Sequence, residues 1–174
     1  MRIYLIGFPG TGKTTLGRKL ARALGYSFID LDETIEEKAG MSIATIFAQA
    51  GEAAFRKKEW EALQKTAEEE NVVVATGGGT PLFHNAMEWM NQHGLTIFLR
   101  MPIQQLYRRL SQSETHRPVL SPPDGLPLYQ HIRNLLKERL PTYHQAQLIV
   151  DAAHISPPLI NAIIRLYHDK TDSL

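Results

Sequence analysis

Cysteine is absent from the 174 residues, which excludes disulfides, zinc thiolate sites and a cysteine nucleophile. No apolar run approaches the ~20 residues that a membrane span requires, so no membrane partner is expected. Charge of one sign is also scarce: 19 Lys and Arg stand against 18 Asp and Glu, a formal net charge of +1. Nucleic-acid binding normally leaves a strongly basic footprint, so no nucleic-acid partner is expected. The 7 histidines are scattered without metal-ligand spacing and receive no role. Met1-Arg2-Ile3-Tyr4 leads straight into an apolar segment, so no signal peptide is expected. With 43% hydrophobic and 21% charged residues, the chain is expected to be one globular, cytoplasmic domain over residues 1–174.

What is present is more specific. Gly7-Phe8-Pro9-Gly10-Thr11-Gly12-Lys13-Thr14 fits the phosphate-loop pattern G-x-x-x-x-G-K-[ST]. Chance yields that pattern in roughly 0.6% of chains this long, given ordinary glycine and lysine usage. An apolar segment, Arg2–Ile6, precedes it, and Leu16, Leu20 and Leu24 recur every four residues after it. Strand, glycine loop and helix form the setting in which backbone N–H groups and a helix N-terminus cradle phosphate. Gly10, Thr11, Gly12 and Thr15 belong to that cradle. Lys13 is expected to reach the β- and γ-phosphates, and the Thr14 hydroxyl to hold Mg²⁺.

Five apolar segments, Ile3–Ile6, Ser27–Ile29, Val72–Ala75, Thr96–Leu99 and Leu148–Val150, alternate with helical patterns. That alternation predicts an α/β fold with a parallel sheet. Helices are predicted over Thr15–Leu24, Glu52–Glu70, Ala86–His93, Ile103–Leu110, Leu126–Tyr143 and about Leu159–Tyr167. Gly25 and Gly94 read as left-handed caps, and Pro141 as a kink or helix end. Residues 111–127 hold four prolines and a glycine, and this long irregular loop reads as a lid.

Asp30-Leu31-Asp32 follows the second strand, at a carboxyl end where open α/β sheets bind ligands. Asp32 is by itself an equally good helix cap, since Glu33 to Lys38 reads as a helix; beside a phosphate loop the functional reading is favoured. Thr76-Gly77-Gly78-Gly79-Thr80-Pro81 ends the third strand, and three successive glycines suit close approach of backbone to ligand. Thr76 stands where related loops often carry a metal-holding aspartate, which leaves metal duty to Thr14 and Asp30. Arg56, Arg117 and Arg139 taken singly are each solvated surface charges by default.

Taken together, these motifs resemble the shikimate kinase family. The resemblance runs along nearly the whole chain, through Gly7–Thr14, Asp30-Leu31-Asp32, Gly40-Met41-Ser42-Ile43 with Ile46-Phe47, Gly51-Glu52-x-x-Phe55-Arg56-x-x-Glu59, Gly77-Gly78-Gly79-Thr80, Arg117-Pro118 and Arg139-x-Pro141-x-Tyr143. It implies a three-layer α/β/α fold of the P-loop NTPase type, in the nucleoside monophosphate kinase-like group, with a five-stranded parallel sheet in the order 2-3-1-4-5. It also implies a monomer that binds shikimate over about residues 32–60 and closes a lid over about 111–127. The implied reaction is transfer of the ATP γ-phosphoryl group to the 3-hydroxyl of shikimate with Mg²⁺, on the route to chorismate and the aromatic amino acids.

By the same resemblance Asp30 joins Thr14 at the metal, and Asp32 matches the substrate-binding residue proposed as base. Arg56 and Arg139 match the pair that holds the substrate carboxylate, with Glu59 bracing the first. Gly78 and Gly79 match backbone contacts to substrate. Arg117 matches the lid arginine on the transferring phosphate, and Arg109 the one that lies against adenine. The chain departs from some members at Ala153-His154-Ile155-Ser156-Pro157, where an arginine is replaced, so Ile155 or backbone is expected at adenine. Three rival readings fit the chain less well. A gluconate kinase would lack the triple glycine together with Phe55-Arg56 and Arg139-x-Pro141-x-Tyr143. A nucleotide-gated switch needs an N-K-x-D segment, and none is present. A catalytically silent homologue would not need Lys13, Asp32, Arg56, Arg117 and Arg139 all intact.

Overall fold

The computed structural model describes residues 1–113, 118–123, 125–153 and 155–171, apart from the side chains of 119 and 168–171. Its five strands are β1 (Arg2–Ile6), β2 (Ser27–Asp30), β3 (Val72–Ala75), β4 (Leu95–Arg100) and β5 (Leu148–Asp151). All pair in parallel, in the order β2-β3-β1-β4-β5. β3, Val-Val-Val-Ala, is buried throughout, and β1 and β4 nearly so. Continuous apolar runs of this kind are what a parallel sheet covered on both faces requires.

Among the described residues seven helices complete the layers: α1 (Lys13–Leu24), α2 (Leu31–Ala39), α3 (Ile43–Lys65), α4 (Ala86–His93), α5 (Ile103–Ser111), α6 (Leu128–Tyr143) and α7 (Pro157–Thr171). Leu16 and Leu20 of α1 are fully buried and Leu24 half-buried, as their spacing predicts. Burying each leucine is worth about 1.5–3 kcal/mol, so this stripe holds α1 over β1, β2 and β3. Gly25 closes α1 in the left-handed conformation (φ 70°). Tyr26 N–H bonds to Ala21 O at 2.9 Å and Gly25 N–H to Arg22 O, a Schellman ending.

Several boundaries differ from the sequence expectation. Gly94 is not a left-handed cap: its backbone is extended (φ −179°), and its glycine identity has another cause. A Cβ there would lie 2.5 Å from Arg2 O of the neighbouring strand. Pro141 lies inside α6, which runs on two residues to Tyr143. The helix predicted over Glu52–Glu70 is the second half of α3, ending at Lys65 before a 3₁₀ turn at Thr66–Glu68. Its first half, from Ile43, follows the Ser42 cap, whose hydroxyl accepts from Thr45 N–H at 3.1 Å. The halves meet at Gly51 (φ 79°, ψ 174°), which breaks the helical geometry. Within residues 111–127, Pro118–Leu120 forms a 3₁₀ turn, and Leu120 is buried.

Candidate active site

Three segments of the site follow the carboxyl ends of strands. β1 runs into the phosphate loop, β2 into Asp30 and Asp32, and β3 into Thr76–Gly79. Because β1 and β2 flank β3, the sheet order sets these three segments side by side. They line a cleft of about 740 Å³ that also takes in α3 and residues of α5 and α6.

The phosphate loop turns into α1 at Gly12, whose φ of 91° strains any residue with a side chain. Lys13, nearly buried, folds back over the loop and donates from Nζ to Gly7 O (2.8 Å) and Phe8 O (3.0 Å). Thr14 Oγ1 donates to Asp30 Oδ2 at 2.7 Å. Gly10, Gly12, Lys13, Thr14 and Thr15 face the cleft. Thr11 does not: its hydroxyl is buried and donates to Phe8 O at 2.9 Å, so its side chain braces the loop from behind.

Asp30, not Asp32, is the helix cap. Its Oδ1 accepts from Asp32 N–H (3.1 Å) and Glu33 N–H (3.5 Å), while its other oxygen holds Thr14. One side chain thus ties the start of α2 to the start of α1. The alternative of Asp32 as cap falls away, and its carboxylate, inside the first turn of α2, lines the cleft.

Arg56 and Arg139 are each only 5% exposed, yet both line the cleft. Arg56 Nη1 donates to Glu59 Oε2 at 2.7 Å, and Nε and Nη2 donate to Glu52 Oε1 at 3.2 and 3.0 Å. The other Glu59 oxygen accepts from buried Thr80 Oγ1 at 2.6 Å. Glycines at 77 and 79 leave room for these side chains, and Gly78 leaves room for Pro9. A Cβ on Gly77 would sit 2.6 Å from Glu59 Oε1 and 3.0 Å from Asp32 Oδ1; one on Gly79 would sit 2.6 Å from Arg56 Nη2. The sequence shows three glycines; only the structure shows that they make room for protein side chains as well as exposing backbone.

Arg139 lies over the Phe8 ring, 5.4 Å from its centroid, and reaches the phenol of Tyr143 one turn along α6. That phenol donates in turn to Gly78 O. Burial pushes the Tyr143 pKa up to about 12, with Arg139 pulling the other way, so the proton stays on the phenol across the neutral range. Tyr143, whose bond ties the arginine helix to the glycine turn, belongs to the Arg139-x-Pro141-x-Tyr143 motif, but nothing in the sequence signals this role.

Arg109 Nη1 donates to Gly10 O at 3.1 Å. Ile155 Cδ1 lies 2.9 Å from where a Cβ on Gly12 would stand, so both residues flank the loop where the resemblance puts adenine. Arg117 lies outside the described residues, whereas Pro118 and Leu120 beside it line the cleft. Sequence reasoning missed the apolar wall. Ile43, Phe47 and Phe55 line the cleft, with the two phenyl rings 4.8 Å apart. Ile46-Phe47 and Phe55 were visible as motif residues, but their facing required the break at Gly51.

Among the described residues no cluster of three or more His, Asp or Glu could chelate a metal unaided. The Thr14 hydroxyl and Asp30 carboxylate form a small hard-oxygen set, which suits Mg²⁺ shared with phosphates and water rather than a protein-only cage.

Comparison with known proteins follows the same lines. A family model for shikimate kinase matches residues 9–168. A shikimate kinase from Bacteroides thetaiotaomicron is 45% identical over 152 residues, 87% of either chain. The 1.7 Å crystal structure of a shikimate kinase from that organism superposes with a TM-score of 0.86 at 40% identity, covering 99% of this chain and 98% of the other. An Acinetobacter baumannii shikimate kinase in complex with shikimate gives a TM-score of 0.87 at 34% identity, over 97% and 93%. Since these matches span the phosphate loop, the glycine turn and both arginine helices alike, the chain belongs to the shikimate kinase family.

Proposed function

We propose that the cleft phosphorylates shikimate at its 3-hydroxyl with ATP, giving 3-phosphoshikimate and ADP on the route to chorismate. Membership of the family makes the chain an ATP-dependent phosphotransferase. One observation carries the assignment of roles: two buried guanidiniums face the same cleft as a phosphate loop and a carboxylate. Buried arginines that face a ligand site are suited to a planar anion, and shikimate carries one carboxylate beside three hydroxyls.

In this reading Arg56, braced by Glu59, and Arg139 hold the carboxylate, and the Gly78 and Gly79 backbone meets the ring substituents. Asp32 accepts or aligns the hydroxyl proton. The hydroxyl oxygen bonds to the γ-phosphorus as the bond from that phosphorus to the β,γ-bridging oxygen breaks; the proton goes to Asp32 and the electron pair to ADP. Lys13 leaves the Gly7 and Phe8 carbonyls for the β- and γ-phosphates, and Arg117 meets charge on the transferring group. Thr14 and Asp30 hold Mg²⁺, which when bound neutralises phosphate charge. Arg109 and Ile155 flank adenine. In this reading the enzyme acts in the cytoplasm as a monomer; no helix among the described residues is long and apolar enough to cross a membrane.

A coupled ADP-release assay with shikimate, gluconate and nucleoside monophosphates tests the assignment. Turnover is expected with shikimate at least a hundredfold above the others in kcat/KM, roughly the discrimination that buried polar groups left unpaired impose. Equal or greater turnover of gluconate would sink the reading.

A further inference from the structure

Arg56 is held by more than its carboxylate partners. Glu59 and Glu52 take hydrogen bonds from all three of its nitrogens, which fixes the edges of the guanidinium. Edge contacts leave the planar faces uncovered. Phe83 covers one: its ring centroid is 4.2 Å from Arg56 Cζ, nearer than in the other cation–π pairs among the described residues. Phe83 does not line the cleft, and its side chain remains partly exposed to solvent. It therefore touches the arginine and not the space where substrate would sit.

The backbone around Phe83 is built for this contact. Thr80–Leu82 forms a 3₁₀ turn, Phe83 is extended, and His84 and Asn85 follow at φ 53° and 58°. Two successive side-chain-bearing residues in the left-handed region are uncommon and need surrounding contacts to hold them. The turn grips one stretch of α3 at three points. Thr80 bonds Glu59, Phe83 stacks on Arg56, and His84 stacks on Trp60 with ring centroids 6.0 Å apart.

We infer that Phe83 is a positioning residue that sets substrate affinity by covering one face of the Arg56 guanidinium. The ring fixes the plane of the guanidinium and shields it from water, so the substrate carboxylate meets a pre-set, poorly hydrated cation. This rests on the reading of Arg56 as a carboxylate-holding residue. Nothing in it involves the nucleotide half of the cleft.

The test is steady-state kinetics on Phe83→Leu, Phe83→Trp, Arg56→Ala and the Phe83→Leu/Arg56→Ala double variant. Thermal melting is run in parallel. Phe83→Leu keeps an apolar side chain but loses the π face, so the KM for shikimate should rise about three- to tenfold. kcat and the KM for ATP should stay within about twofold, the signature of lost binding that is equal in ground and transition states. Phe83→Trp should hold KM near wild type, because indole is the strongest cation–π partner. In the Arg56→Ala background Phe83→Leu should add less than about twofold, since the two act as one unit. If Arg56→Ala raises the shikimate KM but Phe83→Leu leaves it unchanged, or if the two effects multiply independently, the inference is wrong and the reading of Arg56 stands. If Arg56→Ala itself leaves KM unchanged, both fall.

Discussion

Replacing Tyr143 with phenylalanine removes one oxygen from the junction between the arginine helix and the glycine turn, and its effect should depend on pH. The ring would keep its contact with Phe98, whose centroid is 5.2 Å away, so no large cavity opens. What disappears is the hydrogen bond to Gly78 O and the contact with Arg139. A buried carbonyl left without its donor costs about 1–3 kcal/mol, which is the expected loss of stability at pH 7. The folded-state pKa is raised from 10.0 to about 12. Between those values the unfolded chain has released the phenol proton while the folded protein still holds it. The unfolded state then binds fewer protons, so stability falls as pH rises through this window. A two-unit shift corresponds to about 2–3 kcal/mol, comparable to the benefit at neutral pH. Urea midpoints of wild type and Tyr143→Phe, measured at pH 7, 9, 10, 11 and 12, should show the wild-type advantage intact to about pH 10 and largely gone by pH 12. Tyr4 and Tyr167 are also shifted upwards but are common to both proteins, so they cancel in the difference. A stability gap that stays constant from pH 7 to 12 would refute the reasoning.

Asp32→Asn should lower kcat by ~10²–10⁴ with little change in ATP affinity; near wild-type kcat would remove Asp32 from the reaction. Arg139→Ala and Arg56→Ala should each weaken shikimate binding tenfold or more, at a cost of ~2–5 kcal/mol, and calorimetry showing unchanged affinity in a folded variant would contradict the anion site. Arg139→Lys should rescue little, since an ammonium cannot reproduce the guanidinium fork. Asp30→Ala loses both the α2 cap and the Thr14 partner, so it should drop stability by about 0.5–2 kcal/mol in urea titration and raise the Mg²⁺ concentration needed for half-maximal rate. A variant with lowered stability but an unchanged Mg²⁺ requirement would leave Asp30 as a cap alone. Arg117→Ala should cost on the order of 10²–10³ in kcat while both dissociation constants move only a few fold, as for an arginine that acts on the transferring phosphoryl group. Loss of affinity with intact kcat would make it a binding group only.

Local signals were legible wherever the chain carries its own instruction. Gly7–Thr14 is recognisable from spacing because its glycines, Lys13 and Thr14 stand at fixed intervals within one short loop. Strand cores such as Val72–Ala75 and the Leu16–Leu20 stripe were legible because burial repeats with a fixed period. The sequence suggests a left-handed cap at both Gly25 and Gly94; the structure has one at Gly25 and extended backbone at Gly94. The two glycines look alike in sequence, and only the second lies within reach of Arg2 O on another strand. Asp30 and Asp32 likewise could not be sorted by type, since either suits a cap; the end of β2 at Asp30 decided between them.

The phosphate loop, the α/β alternation and the charged residues able to meet an anion are all readable from the chain alone. Those depend on residue type and short-range spacing. Only the tertiary structure decided that Arg56, Thr80, Gly78 and Tyr143, up to 87 positions apart, share one hydrogen-bonded wall. It also decided that Phe83 closes over an arginine it follows by 27 residues. The reason is physical: the desolvation of a charge and the partners that offset it depend on what the sheet order and helix packing bring within a few ångströms, and no local pattern encodes that distance.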